Sequence, residues 1–400
     1  MRKHVQATLI AILAIINCNA QNPPLWFATA SGGPLSGGTL SKINGDGTNF
    51  GNVYPFSSFE SPQAELTQLA NGKIYGSTNG GGADGGGIIF SYNPSTDTYN
   101  TLYNFSRTTG VFPGSKLMAG LDNKLYGLTR EGGSHNKGTI FKFDPVSFVY
   151  TDLYDFPNTD AANPIGGLCQ TPDGKLWGMT PGGGVNGSGT IFNYDIFSST
   201  FTSVIDLADS MAMEPHGSLL YLNNKFYGLS LLGGNNALGT LFCFDPVAVT
   251  LTKIVEFNGG NGSYPYGSLT LEPDIAGIGS QLLIGMTSSG GIYDYGTIFD
   301  VDVSGNNLGF FTEHQFSGPE GRNENFSGNL VPSLTNDSMF YGMTGLGGAS
   351  NHGVLFSINP WRNSFYSVLD QFTDSLAGSN PGGTPLVSTN GKIYATAGGG

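Results

Sequence analysis

Charged residues, cysteines and long apolar runs are all scarce in this chain of 400 residues. Only 11% of the residues are charged, with 16 Lys and Arg against 29 Asp and Glu, which gives a formal net charge of −13. An acidic chain with so few, thinly spread cations lacks the basic patch by which proteins bind nucleic acid or anionic lipid. We therefore exclude nucleic acid as a partner.

The only apolar run that resembles a targeting segment lies at the N-terminus. Ala7 to Ile16 is apolar, follows a basic start that includes Arg2, and leads to the small residue Ala20. This is the pattern of a secretory signal peptide, and the run is too short to span a bilayer. We therefore predict a signal peptide at residues 1–20, a mature protein at 21–400 without a transmembrane segment, and a location outside the cell or on the outer surface of a bacterium.

Three cysteines leave little room for disulfide bonds. Cys18 belongs to the predicted signal peptide, and anchoring as a lipoprotein through it is the alternative, although Ile16 and Asn17 fit a lipobox poorly. Cys169 and Cys243 occupy different positions in their repeats. We expect them to be unpaired and to pack as small apolar side chains.

What the chain has in abundance is glycine, 63 residues, arranged in a repeat of about fifty residues. One copy reads KLYGLTREGGSHNKGTIFKFDP from Lys124 to Pro145. The residue before the glycine of the "YG" pair, or its counterpart, falls at Phe27, Tyr75, Tyr126, Trp177, Tyr227, Ile284, Tyr341 and Tyr394. A period of this length with strand-like content is typical of a propeller or another repeat array.

Each repeat divides into four apolar segments separated by turn residues. In one copy these are a Pro-x-Gly-x-Leu segment at Pro164 to Leu168, a "YG" segment that ends near a Gly-Gly pair, a "GTIF" segment and a segment from Phe201 to Leu207. Because side chains alternate along a strand, the even spacing predicts that both ends of the fourth segment lie on one face. The fold class is therefore all-β, a propeller of four-stranded antiparallel blades.

The two ends of the chain complete one further blade. Six complete repeats open at Leu66, Leu117, Leu168, Leu219, Leu269 and Leu330. The N-terminal copy lacks a first strand and the C-terminal copy supplies one, which predicts seven blades. A second-strand copy at 392–397 duplicates the one at 26–30, and this duplication indicates that the array continues in a longer chain.

These residues resemble a bacterial tandem-repeat family of the Gloeobacter–Verrucomicrobia type, whose units read GTVF…NxDGxxFxxLxxF…PxxGLxxxxDGxLYGTTxxGG. Gly38-Thr39-Leu40 and Asn44 to Gly47 match the middle of that unit, and the "YG…GG" segments match its end. The resemblance implies an exported, surface-associated repeat protein. The Gly pairs and the "FDP" segment also look like kelch propeller repeats. Neither family brings a catalytic residue to this chain.

Antiparallel strands place the candidate functional residues on one face of the disc. The turns between strands two and three and the linkers between blades open on the same face, and their residues differ from repeat to repeat, as recognition loops do. We call this the variable face. The candidate ligand-binding residues on it are Arg107, Arg130, His135, His216, Tyr266, Tyr293, Tyr295 and Arg322.

Each candidate has a structural alternative. Tyr293 and Tyr295 form either a sugar-stacking platform or loop aromatics packed on their own blade, and the "YG" aromatics are explained by packing between blades. The three arginines can clamp a carboxylate bidentately if the ring brings them together. His135 and His216 share no repeat position, so we expect no metal site and no cofactor.

Three functions fit these residues. The leading hypothesis is a monomeric secreted propeller that binds an extracellular partner, glycan or protein, through the variable face. The alternative is a propeller enzyme, hydrolase or lyase, that acts on polysaccharide with His216, Arg107 and Tyr266 near the channel mouth. The third is a structural surface module. No nucleophile triad or carboxylate pair stands out, so the sequence favours a protein that is not an enzyme.

Overall fold

Every regular element in the described part of the chain is a β-strand, and 29 strands form seven sheets. The computed structural model describes residues 24–28, 35–44, 51–57, 59–62, 64–157, 159–272, 281–305, 309–323, 328–333, 338–360, 365–372, 381, 383–387 and 393–396. Across these ranges there is no helix of the length and hydropathy that a membrane crossing needs. The predicted signal peptide and the Asn44 to Gly47 match lie wholly or largely outside them.

Six sheets are four-stranded antiparallel blades, as predicted. The first comprises β4 (Thr67–Gln68), β5 (Ile74–Ser77), β6 (Ile88–Asn93) and β7 (Thr98–Asn104). The second comprises β8 (Met118–Ala119), β9 (Leu125–Thr129), β10 (Thr139–Phe143) and β11 (Tyr150–Asp155). The third comprises β12 (Cys169–Gln170), β13 (Leu176–Thr180), β14 (Thr190–Asp195) and β15 (Thr200–Asp206).

The other three blades repeat this order. The fourth comprises β16 (Leu220–Leu222), β17 (Lys225–Ser230), β18 (Thr240–Asp245) and β19 (Thr250–Glu256). The fifth comprises β20 (Thr270–Leu271), β21 (Leu282–Met286), β22 (Thr297–Asp302) and β23 (Gly309–Gln315). The sixth comprises β24 (Val331–Pro332), β25 (Phe340–Thr344), β26 (Val354–Asn359) and β27 (Phe365–Gln371).

The seventh sheet is built from both ends of the chain and has five strands rather than four. Its order is β28 (Leu386–Val387), β29 (Ile393–Thr396), β1 (Pro24–Ala28), β2 (Ser36–Asn44) and β3 (Gly51–Ser57). The two second-strand copies, β29 and β1, lie side by side and pair in parallel. The sequence predicted seven blades; six regular blades are present, and this closing sheet differs from a blade by the extra parallel strand.

The glycine of each "YG" pair makes room for a phenylalanine of the third strand. A Cβ added at Gly178 would lie 2.5 Å from Cζ of Phe192 and 3.2 Å from Cδ2 of Leu168. The same conflict recurs at Gly76, Gly127, Gly228, Gly285 and Gly342. The phenylalanine ring therefore packs directly on the backbone of the second strand, and its burial is complete.

The two ends of each fourth strand face opposite neighbours, so the prediction of a shared face is wrong. Tyr150 stacks on Tyr103 of the first blade, with ring centroids 4.3 Å apart, whereas Phe156 meets Phe192 of the third blade at 5.4 Å. The register of β10 on β11 shifts after Ile140, and equivalent shifts occur in the other five blades. The extra residue of this β-bulge reverses the alternation of side chains.

The segments predicted as first strands lead into those strands and lie where the blades converge. Pro164 to Leu168 precedes β12, which begins at Cys169. A Cβ on Gly166 would lie 2.0 Å from the carbonyl oxygen of Gly217, and one on Gly217 would lie 2.1 Å from that of Gly267. Successive backbones thus touch at these glycines, which marks the axis of the ring.

One residue per sheet lies at this axis, and polar contacts join neighbouring members except Lys116 and Gly167, where a Cβ on Gly167 would lie 3.7 Å from Cβ of Lys116. The amide of Gly167 donates to Oγ of Ser218, and the amide of Ser218 donates to Oγ of Ser268, both at 2.8 Å. The next contact in this series is a hydrogen bond from the amide of Ser268 to Oδ1 of Asn329. We call the set the axial ring: Glu65, Lys116, Gly167, Ser218, Ser268, Asn329 and Thr384.

Glu65 closes the axial ring between the two ends of the chain. Oγ1 of Thr384 in the closing sheet donates to Oε1 of Glu65 at 2.6 Å, across 319 positions of sequence. Lys116 Nζ of the second blade lies 3.4 Å from Oε2 of Glu65. The amide of Asn329 donates to Thr384 at 2.8 Å. The closure of the propeller is therefore carried by side chains as well as by the five-stranded sheet.

Candidate functional site

The loops between strands two and three share one backbone conformation. Each described loop has the form Gly-Gly-x-x-x-x-Gly. Its fifth residue has a positive φ of 54 to 70° at Gly85, Asn136, Gly187, Ala237, Asp294 and Asn351. The variable face therefore varies in its side chains and not in the length of these loops. A fixed backbone with changing side chains is the design of a recognition surface on a repeat scaffold.

In the described part of the chain, a backbone hydrogen bond joins five of these six loops to the linker that enters the next blade. The donors precede the Pro-x-Gly segment or its counterpart, and four of the five have a positive φ although none is glycine. Such backbone is sparsely populated and needs support from its surroundings. The bonds run from Phe112 to Gly86, Asn163 to Lys137, Glu214 to Ser188, Tyr264 to Leu238 and Asn323 to Tyr295, with N···O distances of 2.8 to 3.1 Å.

His216 and Tyr266 meet where the fourth and fifth blades converge. Each occupies the middle position of a Pro-x-Gly segment, and their ring centroids lie 4.4 Å apart in an edge-to-face arrangement of 84°. Both side chains are half-buried. Arg130, which is exposed, acts electrostatically on both residues, and Glu214 acts on Tyr266. We call these four residues the axial cluster.

His216 is held as a neutral imidazole. Burial lowers its pKa to about 4, and the positive charge of Arg130 contributes. Its Nδ1 is buried and has no hydrogen-bond partner among the described residues. A buried polar atom without a partner is costly, and such sites are enriched where ligands bind. The imidazole can therefore accept or donate a hydrogen bond to a ligand at neutral pH.

Tyr266 remains a protonated phenol. Burial raises its pKa, Arg130 opposes that effect, and Glu214 adds to it. The axial cluster thus combines a neutral imidazole, a phenol, a guanidinium and the carboxyl group of Glu214. This set suits a ligand that presents hydroxyl and carboxylate groups.

Arg107 and His135 lie away from this cluster. Arg107 Nη1 donates to Oδ1 of Asn136 at 3.2 Å, and its carbonyl accepts the amide of Gly133, so it belongs to the loop of the second blade. His135 is exposed in the same loop, with Nδ1 3.1 Å from Oγ of Ser134. Arg130, and not Arg107, is the guanidinium that acts on His216.

Tyr295 and Arg322 form a second site between the fifth and sixth blades. The Arg322 guanidinium lies over the Tyr295 ring, with Cζ 4.4 Å from the centroid. Both residues line a cleft of about 590 Å³ together with Pro319, Ala349 and other loop residues. Tyr295 is therefore covered on one face and does not form an open stacking platform with Tyr293, whose side chain is 55% exposed.

The three arginines do not share one site. Arg107 belongs to the boundary between the first and second blades, Arg130 to the axial cluster, and Arg322 to the boundary between the fifth and sixth blades. The single carboxylate clamp considered from the sequence is not assembled by these contacts. Glu214 was absent from the sequence candidates; its signal was its place two residues before His216, equivalent to Tyr264 before Tyr266.

Of the cysteines and the histidine, aspartate and glutamate side chains able to bind a metal ion, only His216 and Glu214 belong to the axial cluster. Cys169 and Cys243 are both free, and Cys243 packs in the core between the fourth and fifth blades. In the part of the chain that the structure covers, no three His, Cys, Asp or Glu side chains are grouped so as to hold a metal ion.

The repeat pattern identifies the family. The model of the Gloeobacter/Verrucomicrobia repeat matches residues 16–171, 150–277 and 210–400. The chain belongs to the Gloeobacter/Verrucomicrobia repeat family. The likeness to kelch repeats remains a prediction. No curated protein matches the chain.

Solved structures with the same fold carry various activities. A putative 6-phosphogluconolactonase from Bacteroides fragilis is 13% identical, with 92% of this chain and 98% of that chain covered and a TM-score of 0.56. An oligogalacturonate lyase in complex with manganese is 11% identical, with 94% and 97% covered and a TM-score of 0.55. The tricorn protease is 12% identical with a TM-score of 0.44, and 78% of this chain spans only 27% of that one. At these identities the likeness to the lactonase and the lyase shows the propeller fold of this repeat protein alone.

Proposed function

We propose that this repeat protein is an exported propeller that binds an extracellular carbohydrate or protein through the variable face, with the axial cluster at the centre of the contact. The observation that carries this proposal is the contact between His216 and Tyr266 beside Arg130. Because Nδ1 of His216 is buried and has no partner among the described residues, a ligand hydroxyl or carboxylate can form a hydrogen bond there.

An acidic glycan is the ligand class that fits this cluster best. The chain carries a net charge of −13, so its overall field repels anions and an anion must find a local cation. Arg130 supplies that cation, and the phenol and imidazole can bond to ring hydroxyl groups. The secretory signal expected at residues 1–20 supports this ligand class, because an exported protein meets such glycans outside the cell.

The second candidate is an enzyme that acts on polysaccharide, and it is favoured by the same convergence of polar groups. A general base works best when its pKa lies near the operating pH. His216, with a pKa of about 4, is a weak base at neutral pH. This value favours binding over proton abstraction.

A glycan array with the full protein tests the proposal. We expect acidic glycans to be retained, with at least tenfold weaker binding after Arg130→Gln or His216→Ala. Arg107→Gln is the matched control, because it removes the same charge from the same face outside the axial cluster. Equal binding by all variants would contradict this site, and an empty array together with unchanged polysaccharide digests would contradict both candidate functions.

A further inference from the structure

The turns between the third and fourth strands open on the face of the disc opposite the variable face, and they share one conformation. In the second, third and fourth blades an aspartate at the end of the third strand accepts hydrogen bonds from the amides two and three residues further on. Asp195 Oδ1, for example, accepts from Phe197 and Ser198 at 2.9 and 3.2 Å. Asn93 of the first blade and Asp302 of the fifth accept the first of these bonds in the same way, at 3.0 and 2.8 Å. The aspartate or asparagine therefore holds the turn, whatever side chain stands at its tip.

The tip of this turn, two residues after the aspartate or asparagine, is apolar in three consecutive blades. The second, third and fourth blades carry Val146, Phe197 and Val247 there, which are 81, 82 and 88% exposed. In the first and fifth blades the same position is taken by Ser95 and Ser304, which are exposed as well. The turn thus accepts serine, and the scaffold does not require the apolar side chains that three blades present to solvent. Large apolar side chains collected on one face are typical of an interaction surface.

Two further apolar side chains on these turns stand on unfavourable backbone. Phe148 of the second blade and Val249 of the fourth are exposed and have a positive φ of 60° and 52°. Such backbone is uncommon for any residue other than glycine, and it is an outlier for a bulky or β-branched one. The equivalent residues of the first and third blades, Asp97 and Ser199, are small and polar. The chain therefore bears extra strain where it displays a bulky apolar side chain, and strain of this kind is concentrated at functional positions.

The exposed apolar area on these turns is of the size that a protein dimer buries. Six residues make up what we call the turn patch: Val146, Phe148, Val149, Phe197, Val247 and Val249. A fully exposed apolar side chain of this size offers on the order of 100 Å², so these six offer roughly 500 Å² together. A stable interface buries roughly 800 Å² of each partner, a little over half of it apolar. The turn patch therefore supplies the apolar part of one interface of ordinary size.

The side chains of these turns follow the same order in both directions from the third blade. The tips from the first blade to the fifth are serine, valine, phenylalanine, valine and serine, and the bulky residues on strained backbone flank Ser199 of the third blade on either side. A contact between two identical copies needs a surface that is complementary to itself under a two-fold rotation. We propose that the turn patch is the interface of a homodimer. A two-fold axis along the third blade then sets Phe197 against its counterpart in the second copy, and Val146 against Val247.

This dimer leaves the variable face of each copy open. The loops between strands two and three lie on the opposite side of the disc, so the two variable faces point outward and each particle carries two of them. The proposal therefore holds whatever the variable face binds. The Phe197 ring lies on the backbone at Gly174, where an added Cβ would be 2.6 Å from its Cε2. Its orientation is thus fixed before the copies associate, which lowers the entropy cost of the contact.

Sedimentation equilibrium of the full protein at micromolar concentration tests the dimer. We expect the parent to sediment with twice the mass of the chain, and Phe197→Ser to associate at least tenfold more weakly. This substitution introduces the side chain that the first and fifth blades carry at the same position, so the turn should keep its fold. Replacement of Val146, Phe197 and Val247 together by serine should give a monomer. Val185→Ser is the matched control, because it removes a valine that is 89% exposed on the variable face, and it should leave the association within twofold.

Disulfide cross-linking tests the position of the two-fold axis. Under mild oxidation Phe197→Cys should link two copies faster than Val185→Cys does, with the oxidised parent, which retains Cys169 and Cys243, as the blank. Equal rates for the two variants, or a dimer that survives the triple replacement by serine, would overturn the proposed interface. A monomeric parent, as expected from the sequence, would overturn the dimer itself. A monomer that sediments with phosphatidylcholine vesicles would mean that the turn patch docks on lipid instead, and it too would refute the proposal.

Discussion

Replacement of Asp300 by Asn should stabilise the protein at neutral and higher pH and change little below about pH 4. Asp300 lies on β22 and is only 7% exposed. Burial raises its pKa to about 7, and the neighbouring Glu313 carboxylate adds to the shift through its charge and a hydrogen bond. Its Oδ1 has no hydrogen-bond partner among the described residues. The folded protein therefore holds a proton on this carboxyl group that the unfolded chain releases.

The sign and size of the effect follow from proton linkage. Below the unfolded pKa of 3.8 both states are protonated and the group costs no stability. Between that pH and about 7 only the unfolded state has lost the proton, so the free energy of unfolding falls as the pH rises. The shift corresponds to about 4 kcal/mol at most, since each pH unit is worth about 1.4 kcal/mol. Because Glu313 shares the proton, we expect about 2 kcal/mol.

Urea unfolding of the parent and of Asp300→Asn at pH 4 to 9 measures this difference. The two free energies of unfolding should coincide near pH 4, separate progressively between about pH 4 and 7, and stay apart above that, with the variant more stable. Asp84→Asn, which removes the same charge from an exposed loop, should follow the parent at every pH. Parallel curves for the parent and Asp300→Asn would refute the assignment of a shared proton to this carboxyl pair.

Three further outcomes test the packing and the axis. Gly178→Ala should lower the free energy of unfolding by about 1–3 kcal/mol, because the added Cβ overpacks against Phe192. Gly187→Ala should cost only about 1 kcal/mol, because its Cβ meets nothing within 4 Å and only the positive φ is unfavourable. Equal losses for the two variants in denaturant unfolding would contradict the close contact at Gly178. Glu65→Ala should lower the free energy of unfolding by about 1–2 kcal/mol and speed hydrogen exchange in β28, and unchanged exchange would mean that the axial ring does not secure the closing sheet. Arg130→Gln should raise the pKa of His216 in an NMR titration, because a nearby cation is removed, whereas an unchanged value would place Arg130 away from the axial cluster.

The propeller was predictable because the repeat acts at every level of the sequence. The "YG" glycine, the third-strand phenylalanine and the Gly-Gly pair recur together, and each has one physical role in every blade. What the spacing could not show was the bulge in the fourth strand. Counting from Tyr150 to Phe156 assumes a regular alternation, and one extra residue in the ladder reverses it.

The sites were predictable only in part, because side-chain convergence depends on the ring geometry. The Pro-x-Gly pattern placed His216 and Tyr266 at the same position of neighbouring repeats, and the contact between their rings became visible only in the structure. It did not indicate that Arg130, in a loop two blades before, acts on them, or that Arg322 covers Tyr295. Long side chains reach across blade boundaries, and a linear period carries no information about that reach.

The bulged fourth strand has a consequence for how the protein unfolds. Since Tyr150 packs against one neighbouring blade and Phe156 against the other, removal of a single blade would expose aromatic surface on both sides of the gap. No blade is therefore an independent cooperative unit, and the free energy of opening one blade approaches that of opening the whole ring. Although the chain is built from repeats, its thermal unfolding should therefore show a single cooperative transition.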